Sequence, residues 1–291
     1  MAIKDQQQFK EMDILMKGMK YFKFLLPKES RQQMAEAEKE FKRISEIPDR
    51  FNEIFLPRGW VCNGVMSADV AEEAVRLAET ESVEKGEEYL EEYYSGDDTE
   101  FLFMRFFAEL QQNPRIIEAS KRRQLIEKAR EYHKDGDKYE ASVLIIATQI
   151  DGIIQDMTGK SFYESKDKNL KHLQAYETFA GDPSGLPELA KVMSRVRKAS
   201  SGEDIDVLYR QGVLHGRDLG YDNRRVSTQA FATLLSLTEL MEAIRKDKQY
   251  EVPEPQFLDP ATATWDDVKR EWRQIWEMVK EYSQKKPSGG N

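Results

Sequence analysis

The sequence predicts an all-α fold, and three observations predict it. Glycine and proline are sparse, 16 and 10 among 291 residues, so positions that break a helix are few. Strong helix formers (Glu, Lys, Leu, Met, Gln and Arg) fill the intervals between them. Apolar residues recur at helical spacing, and no segment shows the apolar-polar alternation of a half-buried strand. With 40% hydrophobic residues, a chain of this length can bury a substantial core without covalent staples.

The elements follow in order. A first helix spans 6–26, where Met12, Leu15, Met16, Met19, Phe22 and Leu26 form an apolar stripe and Lys17, Lys20 and Lys23 interrupt the run. Internal packing is the simpler reading of that stripe, and a basic helix lying on a membrane surface is the alternative. No window reaches the roughly 18 uninterrupted apolar residues that a spanning helix needs. Helices over 29–46, 68–80, 83–94 and 99–112 complete an acidic N-terminal helical domain, 1–112, with Asp69 and Glu72 placed as a capping box at 68–80.

Asn113-Pro114 marks the boundary, because proline disfavours helix in the residue before it and is tolerated in a first turn. The second domain, 113–250, is a helical bundle with helices over 115–134, 139–158, 170–180, 186–199, from 203 onward and over 226–246. Asp135-Gly136-Asp137 is a short turn and makes its first two helices antiparallel neighbours. Prolines 253, 255 and 260 make 251–291 begin as an extended linker. Its terminal helix, 264–283, gathers Trp265, Val268, Trp272, Ile275, Trp276 and Val279 on one face. That face either docks on the bundle or receives a regulatory protein partner.

The formal charge of −9 argues against a nucleic-acid ligand until its distribution is read. Residues 1–100 hold 14 Lys and Arg against 23 Asp and Glu, which is the whole imbalance, and the remainder is neutral at 30 against 30. Between Lys191 and Arg225 eight basic residues face five acidic ones, with Arg195, Arg197 and Arg217 among the basic set. The zone reads as a cationic surface or as a solvated mixed-charge face. Across an interface, the acidic first domain could mask such a zone.

Cys62 stands alone, and no leader-like start opens the chain, so a reducing cytoplasm is the expected setting. His133, His172 and His215 are too dispersed for a zinc site, and the acidic run 87–94 has no His or Cys beside it. His133 falls where a cation complements a helix C-terminus, and His172 lies among lysines. No glycine-rich phosphate loop, nucleophile elbow or dinucleotide fingerprint is found, and neither metal nor cofactor is expected.

One segment carries chemistry: Tyr209-Arg210-Gln211-Gly212-Val213-Leu214-His215-Gly216-Arg217. It sets a permanent cation, an amide and a near-neutral proton carrier within six residues, the set that phosphodiester cleavage requires. On an unbroken helix Arg210 and His215 would point about 140° apart. Convergence therefore needs a departure from regular helix, which Gly212 and Gly216 permit, or a two-fold dimer pooling two copies. The bland reading of His215 is a histidine that ends a helix.

The stretch from Leu208 to Leu237, with Tyr221 and the apolar run through Ala230, Phe231, Leu234 and Leu235, resembles the motif helix of HEPN-domain proteins. Val143 to Asp156, with Thr148-Gln149-Ile150-Asp151-Gly152, is similar to the helix that precedes that motif in the family. The resemblance covers roughly Arg115 to Lys246. It implies a HEPN-like bundle, a homodimer with a composite site, and metal-independent RNA cleavage by the 2′-hydroxyl, in the manner of prokaryotic defence or toxin effectors. Arg210, His215 and Gln211 are then the catalytic residues. Asp151, Arg217, Tyr221, Arg195 and Arg197 support them or bind substrate. One departure is Gln211, where the family carries Asn, Asp or His; its extra methylene moves the amide outward. The alternatives are a non-catalytic module that binds RNA, a nucleotide or a protein, and a purely structural helical scaffold.

Overall fold

The computed structural model describes residues 28–246 except 97–98, 164–169, 176–177 and 196–198. The helices expected at 6–26 and 264–283, the proline linker and Arg197 lie outside the described residues. Nine α-helices are present among those described: α1 (Lys28–Phe55), α2 (Ala68–Thr80), α3 (Val83–Ser95), α4 (Thr99–Gln112), α5 (Ala119–Asp135), α6 (Tyr139–Thr158), α7 (Leu186–Met193), α8 (Arg210–Leu214) and α9 (Arg224–Arg245). Short 3-10 turns follow α1 at Leu56–Arg58 and precede α7 at Lys171–Leu173. No helix among them is long and apolar enough to cross a membrane.

The helix expected over 29–46 runs on to Phe55, through Pro48. A proline inside a helix costs about 3 kcal/mol. Ile47, Phe51 and Phe55, four residues apart on one face and all buried, offset it, since each such side chain gains about 1.5–3 kcal/mol. The capping box at Asp69 and Glu72 is corrected. Ser67 caps α2, its hydroxyl accepting from the Val70 amide at 3.4 Å, while Asp69 and Glu72 both pair with Arg43 of α1.

α5 starts four residues later than expected, because Asn113 organises the preceding turn. Its amide group donates to the Met241 carbonyl at 3.2 Å, and its Oδ1 accepts from the Arg115 amide at 3.1 Å. Core side chains on either side of that turn, from Phe51, Trp60 and Phe106 to Ile126, Ile150 and Leu240, belong to one apolar cluster. α9 lies at its centre and packs against α3, α4, α5 and α6. It is buried on every side, so Ser227, Thr228, Gln229, Thr233, Ser236, Thr238 and Glu239 are polar groups inside the protein.

Three expectations fail between α6 and α9. The helix over 186–199 ends at Met193, with Ser194 as its C-cap. Among the described residues of 170–180 there is a 3-10 turn in place of a helix, entered by Leu170 with a left-handed φ of 46°. The amides of Phe179 and Ala180 donate to the buried Glu239 carboxylate, and Thr178 closes its own turn onto Gly181. Side-chain acceptors have taken the donors a helix would use. In place of a helix from 203 onward, β1 (Ser201–Asp204) pairs in parallel with β2 (Asp218–Gly220), with Ser201 opposite Asp218 and Asp204 opposite Gly220. α8 forms the crossover between these strands.

Candidate functional site

α6 presents one face to the core through Val143, Ile146, Ile150, Ile153 and Ile154, all fully buried, and uses its polar positions in two directions. Gln149 and Asp156 hold Arg122 of α5, at 3.0 Å and 2.8 Å, with the guanidinium laid across Gly152. A Cβ at Gly152 would stand 2.6 Å from Arg122 Nη1, so the glycine in Asp151-Gly152 serves helix packing.

Asp151 faces elsewhere. Its Oδ1 accepts from the Ser161 hydroxyl at 2.6 Å and from the Phe162 amide at 2.9 Å, and its Oδ2 lies 3.5 Å from Arg210 Nη2. The same turn carries Tyr163, whose ring centre is 5.1 Å from the Arg210 guanidinium carbon. Buried His172 also holds the turn: its Nε2 donates to the Ser161 carbonyl at 2.9 Å, since a carbonyl can only accept. Burial, reinforced by the Asp151 charge, pushes the Tyr163 hydroxyl well above the ordinary phenol range, and Arg210 opposes the shift.

α8 is only five residues long, with Arg210 as its first residue and His215 as its C-cap. The His215 amide donates to the Gln211 carbonyl at 3.2 Å, and Gly216 follows with a φ of 63°, so the chain leaves α8 in a left-handed turn. The His215 side chain is exposed. Gly212 is needed for a different reason. A Cβ there would lie 1.7 Å from Oδ2 of Asp218, a buried side chain of β2 packed onto the α8 backbone. Gly212→Ala is therefore expected to lower stability by about 2–3 kcal/mol by overpacking. Gly216→Ala, with open space around it, costs only the left-handed strain, about 1 kcal/mol. Urea unfolding of the two variants checks the order; a loss for Gly212→Ala no larger than that for Gly216→Ala would show that Asp218 gives way to the added methyl.

Of the residues expected to form a site, Asp151 and Arg210 are brought into contact. Gln211 is half-buried on α8. Arg217 is half-buried; its amide donates to the Gly212 carbonyl and its carbonyl accepts from Ser201, both at 2.7 Å, so its backbone ties α8 to β1. Tyr221 is half-buried, its hydroxyl pushed above the usual range by burial and then by Glu140 and Asp222. Arg195 is exposed just after α7. Ser161, Tyr163 and His172 were not anticipated. Their signal is tertiary, since nothing local in Ser161-Phe162-Tyr163 points to Asp151 on the preceding helix.

His133 departs from the role expected of it. It is not a cation at a helix end: its Nδ1 is 2.8 Å from the Ser227 hydroxyl, its Nε2 is 3.2 Å from that of Ser95, and Tyr139 and Phe231 pack edge-on against its ring. Burial, with Arg224 nearby, lowers its pKa from 6.5 to about 4, so the imidazole is neutral near pH 7. Comparison of the chain with protein-family models, with curated proteins and with solved structures finds no match.

Proposed function

We propose that this chain is a HEPN-type endoribonuclease that cleaves RNA without a metal ion, two copies pooling Arg210 and His215 around one phosphodiester. The reading rests on the division of roles along α8, a guanidinium anchored by Asp151 at its first residue and an exposed imidazole just past its last. The two are five positions apart, about 140° around a helix, so one copy does not aim both at a single phosphorus, and a two-fold pair does.

In the reaction, one His215 imidazole takes the proton of the ribose 2′-hydroxyl as its oxygen attacks the adjacent phosphorus. The bond from phosphorus to the 5′ oxygen breaks, and the second imidazole, protonated, donates to that leaving oxygen. The products are a cyclic phosphate and a 5′-hydroxyl end. Arg210 stabilises the charge growing on the non-bridging oxygens, and the Gln211 amide holds one of them or orients the imidazole.

Arg210→Ala and His215→Ala should each slow cleavage of single-stranded RNA in EDTA by at least about a hundredfold, with helical content and oligomeric state unchanged. Cleavage at the original rate in both variants overturns the mechanism. The pairing of Arg210 with Asp151 favours a second reading, a non-catalytic module whose cation is already matched. Tight RNA or nucleotide binding without turnover is the outcome that selects it.

A further inference from the structure

We infer that Tyr163 is the positioning residue for Arg210, its ring forming the floor on which the guanidinium lies while Asp151 holds one edge. This deepens the nuclease reading and rests on it. Asp151 Oδ1 is occupied by Ser161 and Phe162, which leaves Oδ2 as the ionic contact to Arg210 Nη2 at 3.5 Å. A single contact of that length fixes a point on the guanidinium and leaves its plane free to turn. The Tyr163 face, 5.1 Å from the guanidinium carbon, supplies the second constraint.

The hydroxyl of Tyr163 and Nε of Arg210 are both buried, and neither has a hydrogen-bond partner among the described residues. The aromatic face therefore makes this contact, and the phenol oxygen does not. His172 holds the Ser161 carbonyl and Asp151 its hydroxyl, so the platform is set by α6, the turn after it and the 3-10 turn at Lys171–Leu173, not by α8. A ring held in this way lets Arg210 meet a phosphate in one orientation, which acts on the transition state more than on initial binding.

The test uses the full chain and a labelled single-stranded RNA of mixed sequence. Tyr163→Leu should lower kcat about tenfold with KM nearly unchanged, and Tyr163→Phe should keep the wild-type kcat. By NMR, the Arg210 Nε–Hε resonance should be ring-shifted in the wild type and in Tyr163→Phe, and should return to its free position in Tyr163→Leu. A free-position resonance in the wild type overturns the inference without any variant, and so does unchanged kcat in a folded Tyr163→Leu. If the wild type cuts no RNA yet shows the ring shift and loses it in Tyr163→Leu, the platform stands and the nuclease reading falls.

Discussion

Glu239→Ala is expected to lower global stability by about 3–5 kcal/mol. Its carboxylate sits inside α9 at 9% exposure and accepts from three backbone amides: Gly64 at 2.8 Å, Ala180 at 3.1 Å and Phe179 at 3.3 Å. These donors belong to the segment between α1 and α2 and to the segment before α7, so one carboxylate joins two distant stretches to the central helix. Alanine takes the acceptor from the buried Ala180 amide and from the half-buried Gly64 and Phe179 amides, and opens a void beside Gly64, where a Cβ would stand 2.4 Å from Glu239 Oε1. Glu239→Gln keeps one acceptor oxygen and should lose only about 1–2 kcal/mol. Urea unfolding measures both. A loss below about 1 kcal/mol for the alanine variant would mean that water replaces the carboxylate.

Between pH 6.5 and about 4, titration of His133 lowers stability as acid is added. Its pKa is about 4 in the folded protein against 6.5 for the free side chain, so between those values the unfolded chain binds the extra proton. The stabilisation from burying the neutral ring is complete above pH 6.5, falls as pH is lowered through that window, and is gone below about 4. The shift corresponds to about 3 kcal/mol. Glu239 and Glu87 pull the other way. Burial raises both carboxyls above their ordinary range, so in that window the folded state binds their protons more readily and acid favours it. The net slope is a difference, and the measurement that isolates His133 compares wild type with His133→Gln from pH 7 to 4. The two curves should converge as pH falls; parallel curves would show that His133 does not titrate in the window.

The helical pattern was readable where local signals agree. α2, α4 and α6 occupy the residues expected from periodicity, because each combines an apolar stripe with a clear start or stop. Ser67 rather than Asp69 caps α2, since the helix starts at Ala68 and Asp69 already lies in its first turn, where it and Glu72 pair with Arg43, a residue far away in sequence. The missing helix over 170–180 and the parallel pair β1 and β2 share one cause. Their decisive partners, Glu239 for the first and a strand beyond α8 for the second, lie where no window of local pattern reaches. Asn113-Pro114 is a turn as expected, yet α3 and α4 before it pack on α9 after it, so truncation at 112 would strip the central helix of part of its cover.

The site divides in the same way. Arg210, His215 and Asp151 could be picked from their chemistry and spacing, and the structure joins the first to the third. Ser161, Tyr163 and His172 could not, because a phenol, a hydroxyl and an imidazole in a loop carry no periodicity.

By itself the sequence determined that this protein is mainly helical, that its acidity is confined to the first hundred residues, and that one short segment unites a guanidinium with an imidazole. Those properties follow from composition and spacing along the chain. Tertiary structure alone decided which carboxylates are buried, that His133 is neutral, that α8 is one short turn of helix between two strands, and what holds Arg210. Each of these depends on desolvation and on donors brought together from remote parts of the chain, and neither exists until the core has closed.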